Sequence, residues 1–296
     1  MLICDTHCDT LYVLAEHPGG KTDITPERLR EGGVNLQTLA MFTGGKPDIG
    51  SIRDLFGRMY AVWYGLKADG WVQSLDPKET EEGRTKYMLS VEGCDLMGYS
   101  AEVLDHWEHM GVRMAALTWN HPNALATPHC INASEGLTAY GRESVKRMIS
   151  KKIAVDVSHL NERGFWDVLE CGAVPLASHS CARALCSHTR NLTDEQFRAL
   201  FETGGYVGVN FYPHFLSDTG KADISDVIRH IDHMLDLGGE DRIGFGSDFD
   251  GIEVKPTGLS GPEDLPALIT LAEKTFGRGI AEKIAGRNLI DYYGRL

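Results

Sequence analysis

Residues 153–179 read IAVDVSHLNERGFWDVLECGAVPLASH: a short apolar run, a stretch with helical periodicity and a second apolar run. The first run ends in Val157-Ser158-His159 and the second in Ala177-Ser178-His179. A strand, a helix and a second strand in this order are typical of a parallel βαβ unit. The stretch therefore predicts a parallel sheet with a histidine at the carboxyl end of two successive strands.

The same alternation continues along the 296 residues of the chain. Eight runs have the character of strands, near Leu2–Asp5, Val34–Phe42, Lys86–Val91, Val112–Thr118, Ile153–Val157, Val174–Ala177, Tyr206–Asn210 and Ile243–Phe245. Stretches with helical periodicity lie between or after them, at Ile52–Val72, Ala101–Met110, Gly141–Ser150, Arg163–Cys171, Asp194–Glu202, Ile224–Leu237, Asp264–Phe276 and Gly279–Tyr292. This order predicts an α/β fold, a (β/α)8 TIM barrel, forming one catalytic domain over residues 1–296.

Composition and charge exclude several classes of partner. The formal net charge is −13, so the chain repels phosphate backbones and we expect no nucleic-acid binding. The opening MLICDTHCDT lacks the features of a signal peptide, and no apolar run has the length of a membrane span. We therefore expect a cytoplasmic protein with reduced cysteines and no membrane contact. The sequence leaves open whether the protein forms a homodimer.

Residues that can bind a metal fall at the ends of five predicted strands. A histidine or carboxylate follows or ends each of them: His7 and Asp9, then Glu92, His159, His179 and Asp248. Barrel enzymes place their active sites at the carboxyl ends of the strands, so these side chains should meet at one rim. Neutral imidazoles and carboxylates suit Zn²⁺ and other divalent transition metals. The pattern predicts a metal site.

Spacing within the first and last motifs refines this expectation. In an extended chain alternate side chains share a face, so His7 and Asp9 should point inward together, and Asp5 with them. Cys8 would point away from them and is interpreted as a packing residue. By the same alternation Asp250 shares a face with Asp248, so spacing leaves open which of the two is active.

Each motif also has a plainer interpretation. Glu92 could pair with an arginine at the rim, and a histidine at the end of a strand is more often a structural hydrogen-bonding residue. Arg190 could grip a substrate carboxylate through two hydrogen bonds or lie on the surface. The long loop Asn120–Thr138 could be a lid, a substrate wall or a surface insertion.

Taken together, the motifs resemble the renal (membrane) dipeptidase family of zinc-dependent peptidases. The resemblance covers nearly the whole chain and is strongest between Gly136 and Asn191. It rests on Gly136–Glu143 (GLTAYGRE), Val155–His159 (VDVSH), Ser178–Ser180 (SHS), Arg190-Asn191, Gly205–Tyr212 (GYVGVNFY) and Gly244–Gly251 (GFGSDFDG).

The resemblance implies two Zn²⁺ ions and a dipeptide substrate. By position, His7 and Asp9 would bind one zinc, Glu92 would bridge both, and His159 and His179 would bind the second. It further implies that a hydroxide shared by the two ions attacks the peptide carbonyl. Asp248 would be the catalytic acid and base, and Arg190 would hold the carboxylate of the substrate.

The sequence departs from the family at one position of the site. Animal members carry a histidine directly after Leu-Thr of the fourth strand, whereas Leu117-Thr118 is followed here by Trp119. His121 could substitute from the loop, and Asn210 and Tyr212 could form the pocket floor. Two alternatives stay open: a related binuclear amidohydrolase acting on a non-peptide amide, lactam or ester, and a non-catalytic metal-binding barrel.

Overall fold

Eight parallel strands close into a barrel in the computed structural model, which describes residues 1–46, 48–131 and 134–296. The strands follow one another in chain order around the barrel, and the first strand pairs with the last. The predicted (β/α)8 fold is confirmed. Positions 132 and 133 of the predicted loop Asn120–Thr138 lie outside the described residues.

All eight predicted strands are present, and most are shorter than their apolar runs. Their bounds are β1 Cys4–Asp5, β2 Leu36–Phe42, β3 Lys86–Glu92, β4 Val112–Ala116, β5 Ala154–Asp156, β6 Leu176–Ala177, β7 Tyr206–Val209 and β8 Ile243–Phe245. The barrel is staggered, so regular pairing ends early on some strands and the chain continues as irregular backbone at the rim. Residues that follow β1, β5, β6 and β8 therefore belong to that rim.

The helices surround the barrel. They are α1 Thr10–Glu16, α2 Pro26–Glu31, α3 Ile49–Ala68, α4 Glu102–Met110, α5 Ala139–Ser150, α6 Glu162–Glu170, α7 Asp194–Glu202, α8 Pro213–Leu216, α9 Ile224–Asp236, α10 Leu265–Phe276, α11 Arg278–Glu282 and α12 Asn288–Arg295. The predicted helix Gly279–Tyr292 is divided, because a π-helical turn over Lys283–Arg287 separates α11 from α12. Within the described residues, no helix is both long and apolar enough to cross a membrane.

Local sequence fixes where several helices start and stop. Thr193 caps α7. Its side-chain oxygen accepts a hydrogen bond from the backbone N–H of Gln196, and the side-chain oxygen of Gln196 accepts one from the backbone N–H of Thr193. This capping box satisfies backbone donors that a helix start leaves unpaired. Gly111 ends α4 with φ of 85°, a left-handed conformation that glycine adopts without steric penalty.

The amino-terminal end of the barrel is closed by apolar packing. Side chains from seven strands and from α12 form a buried cluster there: Cys4, Leu36, Met88, Met114, Ala154, Leu176 and Tyr206 with Leu289, Tyr292 and Tyr293. The Tyr292 hydroxyl donates to the carbonyl of Val174 at 2.9 Å, which attaches α12 to this end. Because apolar side chains fill the amino-terminal end of the barrel, the polar site lies toward the carboxyl-terminal rim.

Candidate metal centre

Six side chains that can bind a metal meet at the carboxyl rim of the barrel. They form three overlapping groups, each with ligand atoms within 4.8 Å of one another: His7 with His179 and Asp248, Glu92 with His159 and His179, and His7 with Asp9 and Glu92. Every metal ligand expected from the sequence is in this cluster. The five contributing strands converge here because parallel strands of a barrel end on one face.

Glu92 lies at the middle of the cluster. Its Oε2 atom lies 3.5 Å from Nε2 of His7, whereas its Oε1 atom lies 2.8 Å from Nε2 of His159 and 3.6 Å from Nε2 of His179. The two carboxylate oxygens therefore face two different sets of nitrogen atoms. This is the geometry that a carboxylate shared between two cations requires.

His159 and His179 turn their Nε2 atoms toward each other at 3.1 Å. Their other ring nitrogens are held from outside the cluster, Nδ1 of His159 by Asn120 at 2.9 Å and Nδ1 of His179 by the Ser178 hydroxyl at 2.6 Å. Burial and the positive charge of Arg190 lower the pKa of His159 to about 4, and burial also lowers the pKa of His179. Both rings are therefore neutral near pH 7, the form that binds metals.

Two buried atoms of the cluster have no hydrogen-bond partner among the residues that the structure describes. They are Nε2 of His7 and Oδ1 of Asp9. His7 Nε2 lies 3.6 Å from Asp9 and 3.7 Å from Asp248, which is too far for a hydrogen bond. Buried polar atoms are normally paired, and the residue types here are those that Zn²⁺ accepts. The cluster therefore fits bound divalent cations better than it fits an internal hydrogen-bond network.

Asp248, the sixth member of the cluster, has an unusual backbone conformation. His159, Asp248 and Asp250 have φ of 69°, 65° and 66°, a left-handed region that non-glycine residues seldom enter. Asn210 donates to Oδ2 of Asp248 at 2.9 Å, which leaves Oδ1 facing His7. Burial, together with Asp9 and Glu92, raises the pKa of Asp248 to about 7, so this carboxyl can both take and give a proton near neutrality.

Two other carboxylates that the alternation grouped with these side chains have hydrogen bonds of their own. Asp5 accepts hydrogen bonds from Gln37 at 3.0 Å and from the backbone of Ser247 at 2.8 Å, so it joins neighbouring strands instead of the cluster. Regular strand geometry ends at Asp5, and the alternation does not extend to His7. Asp250 accepts from the Thr10 hydroxyl at 2.6 Å, because the left-handed residues of this turn break the extended geometry.

Arg190 is a buried cation behind the cluster, with 2% of its surface exposed. Its Nη1 donates to the Ser180 hydroxyl and its Nη2 to the carbonyl of His179, both at 2.9 Å, while Nε has no partner among the described residues. In the described parts of the chain no carboxylate pairs with it. Burial lowers the pKa of its guanidinium, a sign that the charge is poorly compensated. A buried, incompletely paired cation of this kind can accept an anionic group.

A cleft of about 630 Å³ opens over the cluster. Its walls are formed by Asp9, Tyr12, His17, Phe42, Glu92, Trp119, Asn120, His159, His179, Tyr212, Phe215, Asp248, Asp250, Gly251, Ile252 and Glu253. Among the residues proposed from sequence for substrate contact, Tyr212 lines this cleft. Asn210 is buried and holds Asp248, and the His121 ring lies 3.3 Å from Asp95, outside the cleft lining.

Comparison with known proteins agrees with this geometry. The model of the membrane dipeptidase family (peptidase family M19) matches residues 1–291. The chain belongs to the membrane dipeptidase family. A dipeptidase-named protein of Schizosaccharomyces pombe, itself uncharacterized, is 32% identical over 306 residues, which cover 95% of this chain and 74% of the relative.

Two crystal structures extend the comparison to three dimensions. One is a metallopeptidase of Rhodobacter sphaeroides bound to a phosphinate mimic of the dipeptide L-Ala-D-Ala, with a TM-score of 0.91, 26% identity and coverage of 100% of this chain and 99% of that chain. The other is a dipeptidase described as a metallopeptidase of family M19, with a TM-score of 0.91, 28% identity and coverage of 100% and 98%. The metal-binding cluster therefore lies in a fold that this family of metal-dependent peptidases shares.

The sequence interpretation missed the residues that support the cluster. Asn120 contacts two histidines, His159 at 2.9 Å and His129 at 3.0 Å, although it lies in a loop. Ser178 donates to Oδ2 of Asp156 and its hydroxyl contacts His179. The sequence offered one signal for Ser178, which is its position directly before the predicted ligand His179. No comparable signal marked Asn120.

Proposed function

We propose that this chain is a dipeptidase that requires two Zn²⁺ ions and acts as one catalytic domain. His7 and Asp9 would hold one ion, His159 and His179 the other, and Glu92 would contribute to both. The observation that carries the proposal is the orientation of Glu92, whose Oε1 faces His159 and His179 while its Oε2 faces His7. Family membership supports the peptide-bond chemistry.

The bound ions would supply an activated water at neutral pH and would polarise the scissile carbonyl. The residues of the chain supply the remaining parts. Neutral His159 and His179 present their Nε2 atoms to the centre because Asn120 and Ser178 occupy the opposite ring nitrogens. The positioning of the ligands is therefore built into the rim before any substrate binds.

Asp248 is the residue that moves the proton in this proposal. Its Oδ1 faces the cluster and its Oδ2 is fixed by Asn210 at 2.9 Å. In this position the carboxylate would accept the proton of the attacking water and then deliver it to the amine that leaves. The atoms balance, since the C–N bond of the peptide and one O–H bond of the water break while a C–O bond and an N–H bond form.

Arg190 determines the length of the peptide in this proposal. Its buried guanidinium lies beside His179, whose carbonyl it contacts, and its Nε has no partner within residues 1–46, 48–131 and 134–296. A free carboxylate one residue beyond the scissile bond would supply the missing negative charge. Longer peptides have an amide at that position, which carries no charge, so dipeptides are favoured.

The test is turnover on a panel of L,L and L,D dipeptides with the zinc-loaded protein. We expect hydrolysis of dipeptides, loss of activity after chelation and recovery when Zn²⁺ returns. Lactams, lactones and non-peptide amides are assayed in parallel, because the same ligands would serve a related amidohydrolase. Turnover of those compounds without dipeptide hydrolysis would overturn the proposal in favour of that enzyme. If the metal-loaded protein turns over none of these compounds, the remaining alternative is a non-catalytic barrel that binds metal.

A further inference from the structure

Asp156, the last residue of β5, is a buried carboxylate that accepts hydrogen bonds from the serines preceding the two histidines His159 and His179. Its Oδ1 atom accepts from the backbone N–H of Ser158 at 2.9 Å and from the backbone N–H of Ser178 at 3.0 Å. Its Oδ2 atom accepts from the Ser178 hydroxyl. Only 2% of its surface is exposed. The backbone at the ends of two strands therefore fixes which oxygen of this carboxylate faces the Ser178 hydroxyl.

The Ser178 hydroxyl connects this carboxylate to the ring of His179. The hydroxyl has one proton and donates it to Asp156, because a carboxylate can only accept. The same hydroxyl oxygen lies 2.6 Å from Nδ1 of His179, so in this second contact the ring must be the donor. The hydrogen-bond chain Asp156–Ser178–His179 therefore keeps the ring proton on Nδ1 and leaves Nε2 without one.

The two histidines are held in different ways. Nδ1 of His159 lies 2.9 Å from the neutral amide oxygen of Asn120, whereas Nδ1 of His179 contacts a hydroxyl that is bound to a carboxylate. Hydrogen bonds to an ionised group are stronger than neutral ones, and consecutive hydrogen bonds in a chain strengthen one another. A carboxylate behind a metal-binding histidine also makes the ring a stronger ligand.

We propose that Asp156 is a positioning residue, which sets the tautomer of His179 through Ser178 and so prepares Nε2 of His179 to bind a metal ion. This inference rests on the two-zinc site of the proposed function. It assigns a role in metal binding to a carboxylate that is not itself a ligand.

Asp156→Asn should reverse the direction of the hydrogen-bond chain. The two backbone N–H groups, of Ser158 and Ser178, require an acceptor at the position of Oδ1, so the amide oxygen of the new side chain would take that place. Its NH2 group would then face the Ser178 hydroxyl and donate to it. The hydroxyl proton would turn to Nδ1 of His179, which would move the ring proton to Nε2 and block that atom as a ligand.

The experiment measures zinc affinity by competition with a chelator for wild type, Asp156→Asn, Ser178→Ala and the double variant. Asp156→Asn should lower the affinity for at least one ion by about a hundredfold. Ser178→Ala removes the hydroxyl, so nothing forces the proton away from Nδ1, and the loss should be only about tenfold. For the same reason the double variant should recover to the level of Ser178→Ala. The loss of a merely structural contact would not be reversed by a second substitution.

Asp5→Asn is the matched control. Asp5 is also buried in the barrel, and it accepts from the backbone N–H of Ser247 at 2.8 Å and from the Ser247 hydroxyl at 2.5 Å. Within the described parts of the chain, the Ser247 hydroxyl contacts no imidazole nitrogen. The same loss of a buried charge should therefore leave zinc affinity unchanged.

The outcomes separate this inference from the proposed function. If wild type binds two ions and Asp156→Asn binds them equally well, the chain does not set the tautomer and only this inference fails. It also fails if the double variant binds more weakly than Asp156→Asn, or if Asp5→Asn loses as much affinity as Asp156→Asn. If wild type binds no zinc or hydrolyses no dipeptide, the proposed function itself fails.

A second measurement does not depend on the folding of Asp156→Asn. The Nδ1 proton of His179 is followed by nitrogen-edited NMR in zinc-loaded wild type and in zinc-loaded Ser178→Ala. In wild type we expect a downfield signal in slow exchange with water, because the proton is held by the Ser178 hydroxyl. In Ser178→Ala the signal should move upfield or exchange faster. An unchanged signal would overturn the inference.

Discussion

His159 and Asn120 share a hydrogen bond in which Nδ1 of the imidazole lies 2.9 Å from the amide oxygen Oδ1. The same oxygen lies 3.0 Å from Nε2 of His129. An amide oxygen only accepts, so both rings donate to it, and His159 must carry its proton on Nδ1. Its unprotonated Nε2 then lies 2.8 Å from Glu92, a repulsive contact unless a cation binds both atoms.

Asn120→Ala should therefore weaken metal binding even though Asn120 is not a ligand. The ring of His159 would lose the acceptor that fixes its tautomer and orientation, and losses of this kind are about tenfold or more in metal affinity. Zinc affinity is measured by competition with a chelator. Asn120→Asp keeps an acceptor at the same place and should retain most of the affinity. Equal affinities for wild type and Asn120→Ala would show that the hydrogen bond does not orient His159.

Glu92→Gln should lose at least one of two bound metal ions. The amide keeps the shape of the side chain but loses the negative charge that faces both sets of ligands. Elemental analysis of fully loaded protein gives the metal content, with two ions per chain expected for wild type. Glu253→Gln, a cleft carboxylate outside the cluster, is the control and should keep both. A Glu92→Gln protein with two ions and normal turnover would make Glu92 a structural residue.

Arg190→Ala should reduce kcat/KM for free dipeptides by about ten- to a hundredfold or more, because a charge-assisted pair contributes on the order of 1.5–3 kcal/mol. The metal content should not change. The loss should largely disappear with dipeptide amides, which lack the carboxylate, and wild type should itself discriminate against them. Equal losses for free dipeptides and amides would remove the assignment of Arg190 as the carboxylate site.

His230 should make the fold less stable in mild acid. Its buried ring accepts from the backbone of Ala182 and donates to the carbonyl of Leu216, each at 3.0 Å, so the native state needs the neutral form. Burial lowers its pKa from 6.5 to about 4. The unfolded chain binds a proton first as pH falls, so the contribution is complete above pH 6.5 and is lost toward pH 4.

The decrease in the free energy of unfolding that is due to the His230 ring is about 3 kcal/mol at most. It is measured as the free energy of unfolding by denaturant at pH 7, 6, 5 and 4. His230→Gln removes the titrating group, so it should be less stable than wild type at pH 7 but should lose less stability between pH 6.5 and 4. Parallel curves for the two proteins would show that His230 does not titrate differently on unfolding.

The sequence predicts the strands well and the short helices poorly. Each strand is an apolar run between polar segments. This pattern is easy to recognise because each strand of the barrel is buried on both faces. The helices α1, α2 and α8 were missed, since segments of 7, 6 and 4 residues are too short to show helical periodicity. Tertiary contacts at the rim hold them in place.

For the candidate site, residue type and position at strand ends were sufficient to bring the predicted ligands together. The failures share a cause, which is the backbone beyond the last regular strand residue. Alternation assumes an extended chain, whereas Asp250 has φ of 66° and regular strand geometry ends at Asp5. The role of Asn120 depends on its contacts with His129 and His159, which no local pattern records.

The seam between β1 and β8 also affects how quickly the chain can fold. Ser247 donates its backbone N–H to Asp5 at 2.8 Å across 242 positions of sequence. Contacts with such separation form late, because the entropy of closing a long loop must be lost before they contribute any energy. Barrel closure should therefore be the slow step of folding, and an intermediate with an open sheet should expose the edges of β1 and β8. Aggregation during refolding would start from those two strands.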